Sequence, residues 1–318
     1  MKQVFVLDPG LMEAGGHHAA LLSTLLCYKG SDTLQIFAHK KLDETLLTES
    51  EVKGLKTYRH FESNFYEHYT SEHFRNSELI QSYIRKLAVE YFQAINQAVK
   101  SSTKKGLVFF IPCANWEHAS AISLALTLVK KAETFNVRRV VFKVCCMFSP
   151  KKHSDCASRA RYTSAFLRLT RFPYVQLHAS DFETRKFYES LGVVISGIHP
   201  CYLLPWEQLS GRKEALNDTP KILLYLGDAK EDKGFNRLPS LAEELLKRFN
   251  YQVTLVIQYT LAWDYPELDN ARERLYSLNK KYEQVELSNE YWSTPTLVNV
   301  LNEMDFIYCT YTPSAYEN

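Results

Sequence analysis

The chain has 318 residues, a length that suits about two domains. Its residues are 46% hydrophobic and 23% charged, as in an ordinary globular protein, and a formal net charge of +2 supplies no global field to draw nucleic acid. The cysteines, at 27, 113, 145, 146, 156, 201 and 309, are odd in number and form no CxxC pair, which argues against a disulfide framework or structural zinc site and for a reducing, cytoplasmic home.

The N-terminus, "MKQVFVLDPG", is apolar for only a few residues before Asp8 and Pro9, so it reads as a buried strand and not as a signal peptide. No stretch nears the roughly 18 apolar residues of a membrane span. "GGHHAALLSTLLCYKG" follows as a helix, with Leu21, Leu22, Leu25 and Leu26 on one face. "TLQIFAHK" is a second strand, and 45–76 reads as loop or short helices. From Glu78 to Lys100, Ile80, Ile84, Leu87, Tyr91 and Ile95 recur at helical spacing.

"GLVFFIPC" is the next strand, and Asn115 is placed to cap the helix "WEHASAISLALTLVKKAE". "VRRVVFKVCCMF", "YVQLHAS" and "VVISG" read as further strands, with a helix "DFETRKFYESLG" before the last. The strands are almost wholly apolar and alternate with helices, which predicts a parallel sheet covered on both faces. The Pro-rich "HPCYLLPWEQLSGRKEALNDTP" reads as a linker. The expected division is 1–200 for a first domain, 201–220 for the linker and 221–318 for a second α/β domain. In the latter, "KILLYLG", "QVTLVIQY", "QVEL" and "DFIYCTY" are strands, and helices follow the first three.

Three strand-to-helix turns carry chemistry. In "LGDAKEDKGF", a strand ends at Gly227 and a helix begins near Gly234; such a hinge offers backbone N–H groups and a positive dipole end, and Lys230 and Lys233 add charge. It can hold a diphosphate, or it is a solvated turn whose lysines pair with Glu231 and Asp232. It is neither GxxxxGK[ST] nor GxGxxG. In "DPGLMEAGGHH", Gly15 and Gly16 permit close backbone approach, and His17 and His18 open a helix whose dipole favours neutral imidazoles. The alternative is a tight turn with solvated histidines. In "CANWEHAS", Asn115, Glu117 and His118 sit at the C-terminal end of a central strand, where open α/β sheets place ligands; capping and helix-dipole roles compete. The basic stretch 151–171, with aromatics interleaved, either lies on an anionic membrane surface as a peripheral contact or is a solvated face.

Taken together, "GGHH" at 15–18, "LGDAKEDKGF" at 226–235 and "EYWSTPTLVNVLNEMDFIYCTYTPSAYEN" at 290–318 resemble the GT-B glycosyltransferases, and more closely their family 4-like (group 1) branch. The resemblance implies an α/β protein of two Rossmann-like parallel-sheet domains facing a cleft. It implies retaining transfer of a sugar from a nucleotide-diphosphate sugar to a hydroxyl of a glycan or lipid-linked acceptor, with no metal or cofactor. Donor binding would fall to Gly15, Gly16, Gly227, Lys230, Lys233 and Gly234, the acceptor side to His17, His18 and Asn115, and catalysis to His118 and Glu317. The family's second loop carries an Arg where this chain has Asp228, so Lys230 is the expected substitute. The second of two glutamates spaced E-x7-E is missing after Glu317, so the second domain is expected to be incomplete. A non-catalytic GT-B-like subunit, an inactive truncated form and a sugar-nucleotide epimerase are the alternatives.

Overall fold

A computed structural model describes residues 2–13, 16–28, 33–52, 54–64, 76–102, 106–132, 139–146, 156–199, 219–231, 233–261 and 266–308. The chain divides into two compact units, Met1–Leu204 and Pro205–Asn318.

The first unit is built on seven strands in the order β3-β2-β1-β4-β5-β6-β7. These are β1 (Lys2–Leu7), β2 (Thr33–His39), β3 (Lys56–Phe61), β4 (Gly106–Ala114), β5 (Val140–Cys146), β6 (Val175–Ala179) and β7 (Gly197–Ile198). Every pairing is parallel. The helices are α1 (Gly16–Tyr28), α2 (Glu44–Val52), α3 (Ser77–Ser101), α4 (Trp116–Lys131), α5 (Cys156–Leu169) and α6 (Phe182–Ser190).

The continuous apolar strands have a direct explanation. Successive strand residues point to opposite faces, and here both faces are covered. Phe5, Leu7, Phe109, Ile111, Phe142 and Val144 pack with Ile84, Leu87 and Tyr91 of α3 and with α4 and α5. Their neighbours Val6, Ile36, Ala38, Phe110 and Cys145 pack on the other face with Ala19, Leu21 and Leu22 of α1. Neither face can be polar, so the alternation disappears from the sequence.

Two readings of this unit need correction. The region 45–76 contains α2 and the edge strand β3, which pairs with β2; residues 65–75 of it lie outside the described residues. The strand "KTYRHF" is half exposed and alternates poorly, so its periodicity is weak. The strand expected at "VVISG" is confined to Gly197–Ile198. Val193 and Ile195 are buried while Val194 is 74% exposed, and the Val193 N–H bonds back to the Tyr188 carbonyl instead of to a strand.

In α5, Tyr162 and Phe166 are buried in the core while Arg161 and Arg168 are exposed. The aromatics interleaved with the basic residues therefore anchor the helix inward.

The second unit has four strands in the order β10-β9-β8-β11: β8 (Lys221–Tyr225), β9 (Thr254–Gln258), β10 (Val285–Ser288) and β11 (Phe306–Ile307), all parallel. Its helices are α7 (Leu238–Arg248), α8 (Asp269–Lys281) and α9 (Thr294–Glu303). Leu224, Leu255, Ile257 and Val285 pack with Leu238, Ala242, Leu246, Leu275 and Leu278. Pro295 sits in the first turn of α9, where its missing N–H has no intrahelical partner to lose.

Candidate functional site

In each unit, the strand order reverses beside the first strand, between β1 and β4 and between β8 and β11. Ligands of open α/β sheets bind outside the C-terminal ends of the strands at such a switch point. Both glycine-bearing turns lie there.

The turn after β1 converges on Asp8, which is buried at the strand's end. Its carboxylate takes a hydrogen bond from the Gly10 N–H at 3.1 Å and pairs with His18 Nδ1 at 2.9 Å. Burial alone would raise the Asp8 pKa. The fields of His18 and His17 and the two hydrogen bonds outweigh it, and the carboxyl is held below its ordinary value. The His18 ring lies against Gly10 so closely that a Cβ there would sit 2.4 Å from its Cε1 and Nε2. Gly10 is a glycine because of that ring.

Gly16, at φ +79°, has open space where a side chain would be, so its backbone conformation is what requires glycine. The His17 ring lies against that of His18, tilted by 35° with centroids 4.1 Å apart. Its pKa is pushed down to about 3, by burial first and by His18 second. The neutral imidazole expected from the helix dipole is present at His17, but desolvation is the main cause.

The turn after β4 meets this cluster. Asn115 Oδ1 accepts three hydrogen bonds: from the N–H groups of Glu117 and His118, both at 3.1 Å, and from His118 Nδ1 at 2.8 Å. With the oxygen fixed by two amides, the ring must present Nδ1–H to it. That choice makes Nε2 the acceptor nitrogen of a neutral His118. Burial lowers the His118 pKa to about 4, against the opposing field of Asp8. Asn115 thus acts as helix cap and as orienter of His118. Glu117 is fully buried behind it. Cys113, two residues before Asn115 near the end of β4, brings its thiol to the same place: ligand-capable atoms of His17, His18 and Cys113 all lie within 4.8 Å of one another.

The structure therefore brings Gly16, His17, His18, Asn115 and His118 together with Asp8, Gly10 and Cys113, which sequence reasoning did not single out. Asp8 was detectable by the rule that selected Asn115, since it too follows a central strand. Gly15 and Glu317 lie outside the described residues.

The turn after β8 has another chemistry. Gly227 has φ +100° and Gly234 φ +75°. The backbone N–H groups expected to face an anion are mostly engaged. Those of Gly227, Ala229, Lys230, Gly234 and Phe235 donate to Gln258 Oε1, the Thr260 carbonyl, the Tyr225 hydroxyl, the Glu231 carbonyl and the Lys230 carbonyl. A 3-10 turn, Phe235–Arg237, precedes α7 and uses further amides. The acceptors come from two places: Gln258 and Thr260 at the end of neighbouring β9 take the first amides, and Tyr225, Glu231 and Lys230, at or in the hinge itself, take the rest.

The positive charge that remains belongs to side chains. Lys233 folds back so that its Nζ is 3.2 Å from where a Cβ of Gly227 would lie. Lys230 Nζ is 3.7 Å from Asp228 Oδ2, a partner the sequence did not suggest; Asp232 lies outside the described residues. Asp228 is itself fixed by Thr260 Oγ1 at 2.5 Å. Gln258 supports the turn from β9, its Nε2 donating to the Glu290 carbonyl at 2.8 Å.

Two parallel α/β units, each with a glycine turn at its switch point, define a doubly wound α/β protein. Comparison with solved structures makes this more particular: the chain has the GT-B glycosyltransferase fold. A glycosyltransferase from Rickettsia africae ESF-5 is 15% identical with a TM-score of 0.55, over 98% of this chain and 73% of that one. An E. coli trehalose-6-phosphate structure bound with UDP-2-fluoro glucose is 12% identical with a TM-score of 0.58, over 97% and 78%. The S. aureus MnaA–UDP structure is 12% identical with a TM-score of 0.52, over 96% and 74%. No protein-family model and no curated protein sequence matches the chain. Among the described residues, no helix is long and apolar enough to cross a membrane.

Proposed function

We propose that the chain is a glycosyltransferase of the family 4-like branch, moving a sugar from a nucleotide-diphosphate sugar to a hydroxyl acceptor with retention, in glycan or polysaccharide synthesis. The observation that carries this reading is Lys233, folded over Gly227 at the C-terminal end of β8 in a GT-B fold. In the transfer, the bond from the anomeric carbon to the diphosphate oxygen breaks and a bond to the acceptor oxygen forms. The acceptor's proton passes to the departing diphosphate. Negative charge grows on that leaving group, and the ammonium groups of Lys233 and Lys230 stabilise it more in the transition state than before.

Neutral His118 faces the donor sugar in this reading, with Asn115 holding its tautomer. His17 and His18 serve the acceptor side. UDP-hexoses are the first donors to test, since two proteins of like fold were solved with UDP or a UDP-sugar. Lys233→Ala should cut release of the nucleotide diphosphate by roughly 10²–10³-fold with an unchanged melting temperature. Equal turnover in variant and parent removes the phosphate role. Release without any acceptor favours an epimerase or hydrolase. Nucleotide diphosphate binding without turnover favours a non-catalytic subunit.

The same reading includes a peripheral membrane contact through the basic face of α5. Co-sedimentation with anionic vesicles should fall when Arg159, Arg161 and Arg168 are changed to Glu, and undiminished co-sedimentation rejects that contact.

A further inference from the structure

We propose that His17, His18 and Cys113 form a binding site for a zinc-type divalent cation in the first unit, with Asp8 as the positioning residue behind it. This inference goes beyond the sugar-transfer reading, shares His17 and His18 with its acceptor side, and assigns the metal no step in that reaction.

The first observation is the donor set. Two imidazoles and a thiol have ligand-capable atoms mutually within 4.8 Å, and all three residues are half-buried. Zinc takes nitrogen at about 2.0–2.1 Å and sulfur at about 2.3 Å, which puts tetrahedral ligand atoms about 3.3–3.6 Å apart. A mixed N₂S set selects borderline and soft cations such as Zn²⁺ or Co²⁺ over Mg²⁺ and Ca²⁺, which want oxygen. Three protein ligands leave a fourth position for water.

The second observation is separate. Asp8 holds His18 Nδ1 at 2.9 Å. A carboxylate on one ring nitrogen fixes the tautomer and leaves the other as the ligating atom, the usual support behind a metal-bound histidine. Gly10 gives the ring the room to take this orientation, since a Cβ there would collide with it. The hydrogen bond and the glycine would be an unusual outlay for a merely solvated histidine. On binding, the Cys113 thiol gives its proton to the buffer and the thiolate ligates.

Spacing in the sequence could not reveal this site. The histidines open α1 and the cysteine ends β4; the parallel pairing of β1 with β4 brings them together.

The test uses the whole chain and Co²⁺ as the probe. The parent should bind one Co²⁺ with a sulfur-to-metal charge-transfer band and tetrahedral d–d absorption. Cys113→Ser should abolish the band, His17→Gln should weaken binding at least tenfold, and Asp8→Asn should weaken it by about 10–100-fold. Alkylation of the unmutated protein, read by peptide mapping, covers the case in which Cys113→Ser does not fold: bound Zn²⁺ should protect Cys113 and leave exposed Cys156 reactive. A parent with no charge-transfer band in excess Co²⁺ overturns the site. So does a band that survives in Cys113→Ser, or Cys113 labelling that zinc does not slow.

Discussion

The turns after β1 and β8 occupy equivalent places, each following the first strand of its sheet and lying beside the strand-order reversal, yet they solve different problems. After β1 the chain buries a carboxylate and surrounds it with imidazoles. Asp8, His18, His17 and His118 share one electrostatic neighbourhood, and two of the histidines are driven neutral by burial. After β8 the hinge amides are taken up within the hinge and by the neighbouring strand's end, and lysines lie over it, Lys230 about a third open and Lys233 folded over Gly227. The comparison teaches that a glycine-rich hinge does not fix its ligand. The side chains that close over it do, and the two turns hold opposite kinds: groups that donate lone pairs and groups that carry charge.

The largest expected effect follows from the neutral imidazoles. The folded-state pKa of His118 is about 4, below the ordinary 6.5. As pH falls through 6.5 the unfolded chain takes up a proton that the folded chain refuses until about pH 4. The unfolded state therefore binds more protons in that window, and stability falls as pH drops across it. At about 1.36 kcal/mol per pKa unit, the loss from His118 alone is about 3 kcal/mol. His17, lowered to about 3, acts in the same direction. Asp8, held below its ordinary 3.8, contributes its own loss only at more acid pH. The turn after β8 has no histidine and adds nothing of this kind. Urea unfolding between pH 7 and 4 should show a shallower loss in His118→Gln than in the parent. Parallel curves would mean that the burial of His118 does not govern its protonation.

Much of this was legible beforehand, for reasons that particular residues make plain. The long apolar strands β1, β4 and β5 and the α3 period of Ile80, Ile84, Leu87, Tyr91 and Ile95 reflect packing that leaves a direct trace in one dimension. Asn115 is readable as a cap because capping is local, and its amide does accept from Glu117 and His118. Its third bond, to the His118 ring, was invisible because rotamers are not written in spacing. The edge strand β3 was illegible because one side of it faces solvent and its pattern is polar. Cys113 was passed over because a cysteine inside an apolar run reads as core; its partners come from β1's turn through sheet pairing. The amides after Gly227 were misjudged because their acceptors, Gln258 and Thr260, lie on the neighbouring strand's end.

The smaller effects separate the two turns by the reason each needs glycine. Gly10→Ala forces a Cβ to within 2.4 Å of the His18 ring and should cost about 1–3 kcal/mol, as overpacking does. Removing the ring relieves that clash, so a double-mutant cycle with His18→Ala should give a coupling on the order of 0.5–3 kcal/mol. Gly227→Ala also costs on the order of 1–3 kcal/mol, but through φ +100°, which an L side chain rarely adopts. Lys233 touches that position only with the end of a flexible chain, so trimming it to Ala relieves nothing, and the coupling between Gly227→Ala and Lys233→Ala should be close to zero. A coupling there as large as that between Gly10 and His18 would mean that Lys233 is packed rigidly against the hinge. An ammonium fixed in that way could not move to follow a departing diphosphate, so this smallest number bears most directly on the lysine's proposed role.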